Sequence, residues 1–183
     1  EDKIALEKRV REGLKRLAGQ HLITENNGVY KFLTDEEKTI NRYIDEESIP
    51  TVQVTNKVMD KIFKKIYISN QIKSKALNNT FNFNKRFDEN GYGAQTENLT
   101  LAIISENSLD YEELRLITKS SSEKCLFIKL NDCRFLEEVE KILKINQYAD
   151  KIPFSELDAE KRKIIEGKRE EARERERNLE ISI

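Results

Sequence analysis

The sequence is short of the residues on which most catalytic and metal sites depend. Its 183 residues include one histidine, two cysteines and no tryptophan. A metal cluster or an Asp-His-Ser relay would have to be built around His21 alone, so neither is expected. Cys125 and Cys133 lack the CxxC pairing and the histidine neighbours of a zinc site, and we interpret both as free thiols. We therefore predict no catalytic residue and no metal site.

Glycine and proline are also scarce, with six and two copies. Neither GxxxxGK[ST] nor GxGxxG occurs, and Gly91-Tyr92-Gly93 is too sparse to cradle a phosphate, so we expect no cofactor in this chain. No apolar run approaches the roughly 18 residues of a membrane span, and no signal peptide is present. We expect a cytoplasmic protein without membrane contact. Because Glu1 lies inside an already periodic helix, we expect a piece of a longer protein.

Net charge is nearly absent, although charged residues are abundant. They make up 37% of the chain, as apolar residues do, and the formal net charge is -1. An average domain has roughly 25% charged residues. Much of this chain must therefore be solvated surface, and any attraction to nucleic acid has to be local.

The N-terminal part predicts a helix, a hairpin and a second helix. Apolar residues at helical spacing define the first helix, and Gly19 is its expected left-handed end. Residues 22–25 and 29–33 predict strands around the turn Asn26-Asn27-Gly28. Thr34 and Glu37 have the spacing of a capping box at the start of the second helix. This order predicts a partial winged helix over residues 1–50.

Residues 51–152 predict an α/β accessory domain. A helix is expected over Val52–Tyr67, strands over 80–87, 99–104 and 125–130, and a turn-rich link over 88–93. Leu114–Ile117 fits a strand or a helix, and we favour a strand because Ser120–Ser122 would supply the following loop. Asn131 or Asp132 is expected to cap a helix that packs, with the earlier one, on one face of the sheet.

The last segment, 153–183, predicts a long charged helix. Pro153 breaks the chain, and Ser155 is the expected helix start, with Glu156 and Asp158 in the first turn. Ala172 is the only apolar residue from Glu166 to Arg177, so we expect a projecting helix or one strand of a coiled coil, held by internal ion pairs. The predicted fold class is therefore α+β, with three parts.

Two basic clusters are candidate nucleic-acid surfaces. The first lies between Asn56 and Arg86, where Asp60 is the only acidic residue and aromatic residues are interspersed; its members are Lys57, Lys61, Lys64, Lys65, Lys73 and Lys75. Basic and aromatic residues together suit duplex DNA or single-stranded nucleic acid, whereas a solvated rim around a core is the alternative. The second cluster, on the first helix, is Lys8, Arg11, Lys15 and Arg16. Glu25-Asn26-Asn27 gives the wing tip no basic residue, which makes protein docking an equal interpretation.

Several motifs resemble a known family along nearly the whole chain. The most specific are Tyr30 to Glu37, of the form Y-x-F-L-T-x-E-E, and Phe83 to Gly93, of the form F-N-x-x-x-D-x-x-x-Y-G. In this order they resemble the central region of the large P-loop ATPases of bacteriophage-exclusion (BREX) systems, the BrxC / PglY family. The resemblance implies a parent AAA-type ATPase that binds ATP through Walker motifs preceding this region.

What the resemblance implies for this chain is an accessory role. The expected function is a non-catalytic assembly region of a phage-defence ATPase, in contact with other domains of the parent and with other defence-system proteins. Self-association is possible through apolar surface on the first helix. The alternative is a duplex DNA-binding module that uses the Lys57–Lys75 surface.

Overall fold

The computed structural model describes residues 3–26, 28–130, 134–153, 155 and 157–182. Helices and strands are both present, which confirms the α+β class. The elements are α1 (Lys3–Gly19), β1 (Ile23–Asn26), β2 (Val29–Phe32), α2 (Asp35–Glu46), α3 (Thr51–Lys61) with a π-helical turn (Ile62–Ile66), β3 (Gln71–Ser74), β4 (Asn79–Phe87), β5 (Asn90–Tyr92), β6 (Leu99–Ile104), α4 (Glu113–Glu123), β7 (Cys125–Lys129), α5 (Arg134–Lys151) and α6 (Ala159–Ser182).

These elements form two compact units. The first comprises Glu1–Ser48 and Lys144–Ala172, and the second comprises Ile49–Leu143 and Arg173–Ile183. Each unit is therefore built from two separate stretches of the chain. The division into parts 1–50, 51–152 and 153–183 stays a prediction.

In the first unit, α1 ends at Gly19, but the left-handed residue that follows the helix lies two positions later than the sequence suggested. The left-handed residue is His21, with φ of 56°, and not Gly19. The His21 N–H donates to the Ala18 carbonyl and the Leu22 N–H to the Leu17 carbonyl, both at 3.0 Å, which is the hydrogen-bond pattern of a Schellman motif. Histidine is among the residues that tolerate this conformation, so a glycine is not required.

The hairpin and the second helix have the expected local structure. β1 and β2 pair antiparallel, and Gly28 has φ of 80°, as the predicted turn requires; Asn27 lies outside the described residues. Thr34 and Glu37 form the predicted capping box. Ile40 and Ile44 of α2 are buried. The winged-helix interpretation of this unit stays a prediction.

In the second unit, β3–β7 form one sheet of order β3-β4-β6-β7, with β5 also on β4. β4, β6 and β7 are parallel, whereas β3 and β5 run antiparallel to β4. The sequence did not predict β3, and β5 lies inside the segment expected to be a link.

Helices cover both faces of this sheet and not one. Ala102, Ile104 and Cys125 are buried with Leu116 of α4 on one face. Phe87 points to the other face, where it meets Phe135 of α5 with ring centroids 6.4 Å apart.

The segment Leu114–Ile117 is helical, so its interpretation as a strand is wrong. It belongs to α4, which continues through the serines that were expected to form a loop. The Thr118 and Ser122 hydroxyls donate to carbonyls four residues earlier, at 2.8 and 3.1 Å. These bonds keep polar side chains satisfied inside a helix.

The long helix α6 also differs from the expectation. It begins at Ala159, because the Asp158 carboxylate accepts the Lys161 N–H at 2.8 Å and caps it; Ser155 is not the start. Ile165, Ala172 and Leu179 recur every seven residues and are buried. The helix therefore buries a stripe of apolar side chains, two of which lie outside the run from Glu166 to Arg177. The predicted cap of α5 at Asn131 or Asp132 lies outside the described residues.

Candidate functional site

An open apolar groove of about 600 Å³ lies on the sheet of the second unit. Its walls and floor include Ile66, Ile68, Ile72, Phe83, Leu101 and Leu126. The strand register explains this composition, because Leu101 is directly opposite Leu126 and the side chains of Phe83 and Ile72 point to the same face. Leu126 is 61% exposed and Ile68 is 67% exposed. The groove is thus a large apolar surface without cover in the described chain.

The groove continues to the outer edge of β7. β7 is the last strand of the sheet, and in the part of the chain that the structure describes no strand pairs with its outer side. The ladder to β6 ends at bonds from Thr100 N to Lys124 O and from Leu130 N to Ile104 O. Parallel pairing alternates, so the backbone groups of Phe127 and Lys129 point away from β6. This edge can accept hydrogen bonds from, and donate them to, another strand.

The side chains in the groove offer little for catalysis. Cys125 borders the groove, but its side chain packs with Ala102 and Ile104 on the opposite face of the sheet, and burial raises the pKa of its thiol, so the thiolate needed for nucleophilic attack is disfavoured. His21 lies in the first unit, where its Nε2 is 3.3 Å from an Asp45 carboxylate oxygen. Among the described residues, no three His, Cys, Asp or Glu side chains come together as a metal site. Cys133 lies outside those residues.

Two lysines of the first basic cluster form ion pairs with an acidic residue of α6. The Lys57 and Lys61 ammonium groups lie 3.0 and 3.1 Å from the same Glu176 oxygen. The Lys61 side chain is 7% exposed. Burial acts to raise the pKa of Glu176, but hydrogen bonds from both lysines outweigh it and lower the pKa. These two lysines therefore form a structural ion pair network and present little charge to a ligand.

The other members of this cluster are at the surface. Lys65, Lys73 and Lys75 are exposed, and Lys64, also exposed, lies 2.9 Å from Asp60. Two of the interspersed aromatic residues pack elsewhere. Phe63 is buried and packs on Tyr92, with ring centroids 5.1 Å apart, and Phe83 lines the groove. The structure therefore leaves these four lysines at the surface, without the stacking platform that the sequence suggested.

Two further cations of this stretch lie inside the second unit, Lys85 buried and Arg86 half-buried. Lys85 donates to the Ile68 carbonyl at 3.0 Å and lies over the Phe63 ring, and burial lowers its pKa. Arg86 lies over the Phe127 ring, about 4.0 Å from carboxylates of Asp110 and Glu123. Both side chains hold elements of the second unit together.

The second basic cluster has a different setting. Lys8, Arg11, Lys15 and Arg16 are all exposed on α1, which contains no buried residue. Arg11 forms an ion pair with Glu7 at 2.7 Å. This helix therefore combines an open basic surface with an uncovered apolar stripe.

The motif from Phe83 to Gly93 has a structural role. The Asn84 amide donates to the Glu97 carbonyl at 2.7 Å and accepts the Glu97 N–H at 2.9 Å, which fixes the link into β6. Asp88 accepts the Ser105 N–H and hydroxyl at 2.6 and 2.8 Å. The Tyr92 hydroxyl donates to Asp60 at 3.1 Å. The polar side chains of the motif thus form hydrogen bonds that hold the sheet to the segments around it.

No helix in the described part of the chain is both long and apolar enough to cross a membrane. Residues 47–183 match the family model described as the BREX ATP-binding protein BrxC 4th domain with six-stranded beta sheet. This match covers well over half of the chain. No solved structure matches it.

Proposed function

Because the chain belongs to the family of the BREX ATP-binding protein BrxC, we propose that it is a non-catalytic accessory region that holds other proteins of the phage-defence system. ATP would then be bound by other parts of the parent protein. The observation that carries the proposal is the apolar groove beside the open edge of β7. Exposed apolar surface of this size beside an unpaired strand is typical of protein interaction sites.

The occupant that best fits the groove is an extended apolar segment of another protein chain, paired along β7. A sixth strand on β7 would take up the outward backbone groups of Phe127 and Lys129. Its alternate side chains would lie over Leu126 and the groove.

The test uses the whole parent ATPase, purified with the other proteins of its defence system. Leu126→Glu places a charge at the mouth of the groove, so we expect loss of at least one system protein from the complex while ATP hydrolysis is retained. Leu114→Glu is the matched control, because Leu114 is 79% exposed on α4 outside the groove. Thermal melting of both variants checks folding. Equal assembly of both variants with the system proteins would contradict the proposal.

Duplex DNA binding is a second candidate, supported by the exposed Lys64, Lys65, Lys73 and Lys75. We expect binding to weaken steeply as salt rises, since phosphate contacts release counterions. Replacing these four lysines with glutamine should abolish a mobility shift at low salt. The control is Lys57→Gln, because Lys57 pairs with Glu176. If the unaltered chain does not shift DNA at low salt, this candidate fails.

A further inference from the structure

The first unit carries a second uncovered apolar surface, which we name the α1 face. It consists of the stripe Leu6, Val10, Leu14 and Leu17 on α1, together with the exposed Tyr30 and Phe32 on β2 of the same unit. On a helical wheel the four α1 residues lie on one side. Leu14 and Leu17 are half-buried beside the hairpin, but Leu6 and Val10 are 47% and 51% exposed and Phe32 is 78% exposed. The N-terminal half of the stripe therefore has no cover within the described chain.

The helix that carries this stripe is basic overall, although Glu7 lies at the edge of the stripe and pairs with Arg11 at 2.7 Å. α1 contains six basic residues and two acidic ones, so it carries four excess positive charges. Arg11 and Arg16 lie on opposite sides of the stripe, and both are exposed.

The positive charge of α1 favours some binding partners of the α1 face over others. A second copy of α1 would bring four more positive charges to the contact, and such like-charge pairing is unfavourable. DNA would satisfy the cations but would leave Leu6, Val10 and Phe32 without apolar contact, because phosphate binding does not need them. A protein element with an apolar centre and an acidic rim satisfies both parts of the face.

We propose that the α1 face docks an acidic amphipathic helix of a partner protein. The apolar side of that helix would cover Leu6 and Val10, and its carboxylates would lie against the basic residues on both sides, as in helix-in-groove recognition. This surface is separate from the apolar groove of the second unit, so neither proposal depends on the other.

The probe is a fluorescent synthetic helical peptide with leucine on one side and glutamate on the other, tested with the full chain by fluorescence anisotropy. A peptide of the same composition in scrambled order is the control ligand. We expect the amphipathic peptide to bind and the scrambled one not to bind. Both Leu6→Gln with Val10→Gln and Arg11→Gln with Arg16→Gln should weaken binding about tenfold or more, and only the second pair should lessen its salt dependence.

Matched controls separate this proposal from its alternatives. Lys73→Gln with Lys75→Gln removes the same number of charges from the second unit and should leave peptide binding unchanged. Circular dichroism of each variant checks that α1 still forms. Equal binding of both peptides would overturn the proposal. So would tighter binding of a fluorescent DNA duplex that is insensitive to Leu6→Gln with Val10→Gln, or a concentration-dependent dimer that this pair of substitutions abolishes.

Discussion

Lys61 is a buried cation that depends on a residue far along the chain. Its side chain is 7% exposed, and the carboxylate 3.1 Å away belongs to Glu176. Glu176→Gln removes the Glu176 carboxylate charge from this ammonium group and from that of Lys57. Because Glu176 itself is one-third exposed, we expect a loss of about 1–3 kcal/mol in the free energy of unfolding, less than for a fully buried pair. Urea denaturation at neutral pH measures it.

An exposed ion pair on α2 serves as the control for Glu176→Gln, and the effect of this substitution should depend on pH. Asp35→Asn breaks a solvent-exposed pair with Lys38 and should therefore destabilise the chain much less than Glu176→Gln. The folded-state pKa of Glu176 lies below its usual value of 4.5, so its stabilisation is present above pH 4.5 and is lost as pH falls through the folded pKa. The difference between the unaltered chain and Glu176→Gln should therefore shrink in acid. A constant difference down to pH 3 would contradict this account.

Asp88 is a buried carboxylate in the left-handed region, with φ of 49°. Asp88→Ala removes the acceptor of the Ser105 N–H and strains the backbone, so we expect a loss of about 2–3 kcal/mol. Asp88→Asn keeps an oxygen for this N–H and a conformation that asparagine tolerates, and should cost about 1 kcal/mol or less. Chemical denaturation of both variants compares them.

The same carboxylate has a pH signature. Burial raises the pKa of Asp88 above its usual range, although hydrogen bonds from Ser105 oppose the shift. The stabilisation linked to this raised pKa is complete below the unfolded-state value of 3.8 and is lost as pH rises through the folded-state value. Asp88→Asn cannot ionise, so its stability relative to the unaltered chain should rise over that interval. The opposite trend would show that the ionised form is the stabilised one.

At the scale of the elements, two glycines should respond in opposite directions. Gly167 lies in the middle of α6, and a Cβ there would meet no atom within 4 Å, so Gly167→Ala should stabilise the chain by about 0.5–1 kcal/mol. Gly28 has φ of 80° in the hairpin turn, so Gly28→Ala should destabilise by about 1 kcal/mol or more. Thermal unfolding of both variants measures the signs. Equal shifts would contradict the assigned backbone conformations.

Local patterns explain which elements the sequence predicts. The capping box of α2 needs only Thr34 and Glu37, three residues apart, and its hydrogen bonds form within one helical turn. β6 is correct because apolar residues occupy both of its faces. α4 was misassigned because Leu114 and Ile117 are exposed, so no buried stripe with helical spacing distinguishes it from a strand.

Long-range contacts explain what the sequence could not show. Nothing near Lys57 or Lys61 indicates that their partner is Glu176, so both looked like surface cations. Ala172 is a single small residue in a charged run, and its burial depends on elements distant in sequence. The groove follows from strand register, which sets which side chains share a face, and α1 keeps its apolar stripe uncovered. The sequence therefore predicts which residue types form the candidate surfaces, but not how the fold arranges them.

At the scale of the whole molecule, α5 and α6 each contribute to both compact units. In the first unit, Ile165 and Ala172 of α6 are buried; in the second, Glu176 and Leu179 are at least two-thirds buried. A chain that ends at Asp158 should therefore lose stability in both units. We expect amide hydrogen exchange to increase in α2 and in α3 alike.

An independent C-terminal helix would give a different exchange result. If 153–183 were a separate projecting helix, removing it would leave exchange in α2 and α3 unchanged. A second variant, Ala172→Glu in the full chain, alters α6 without removing it and should raise exchange in α2. Protection that persists in both variants would contradict the role assigned to α6.

The interleaving of the two units also bears on how this polypeptide folds as it is made. Domains usually fold in order as they leave the ribosome, at about 5–20 residues per second. Here the first unit is complete only when Ala172 of α6 has been synthesised, and the second only when the C-terminal part of α6 has followed. The groove and the edge of β7 are thus exposed in nascent chains before their unit can close. Such chains are expected to rely on chaperones that bind apolar strands during synthesis.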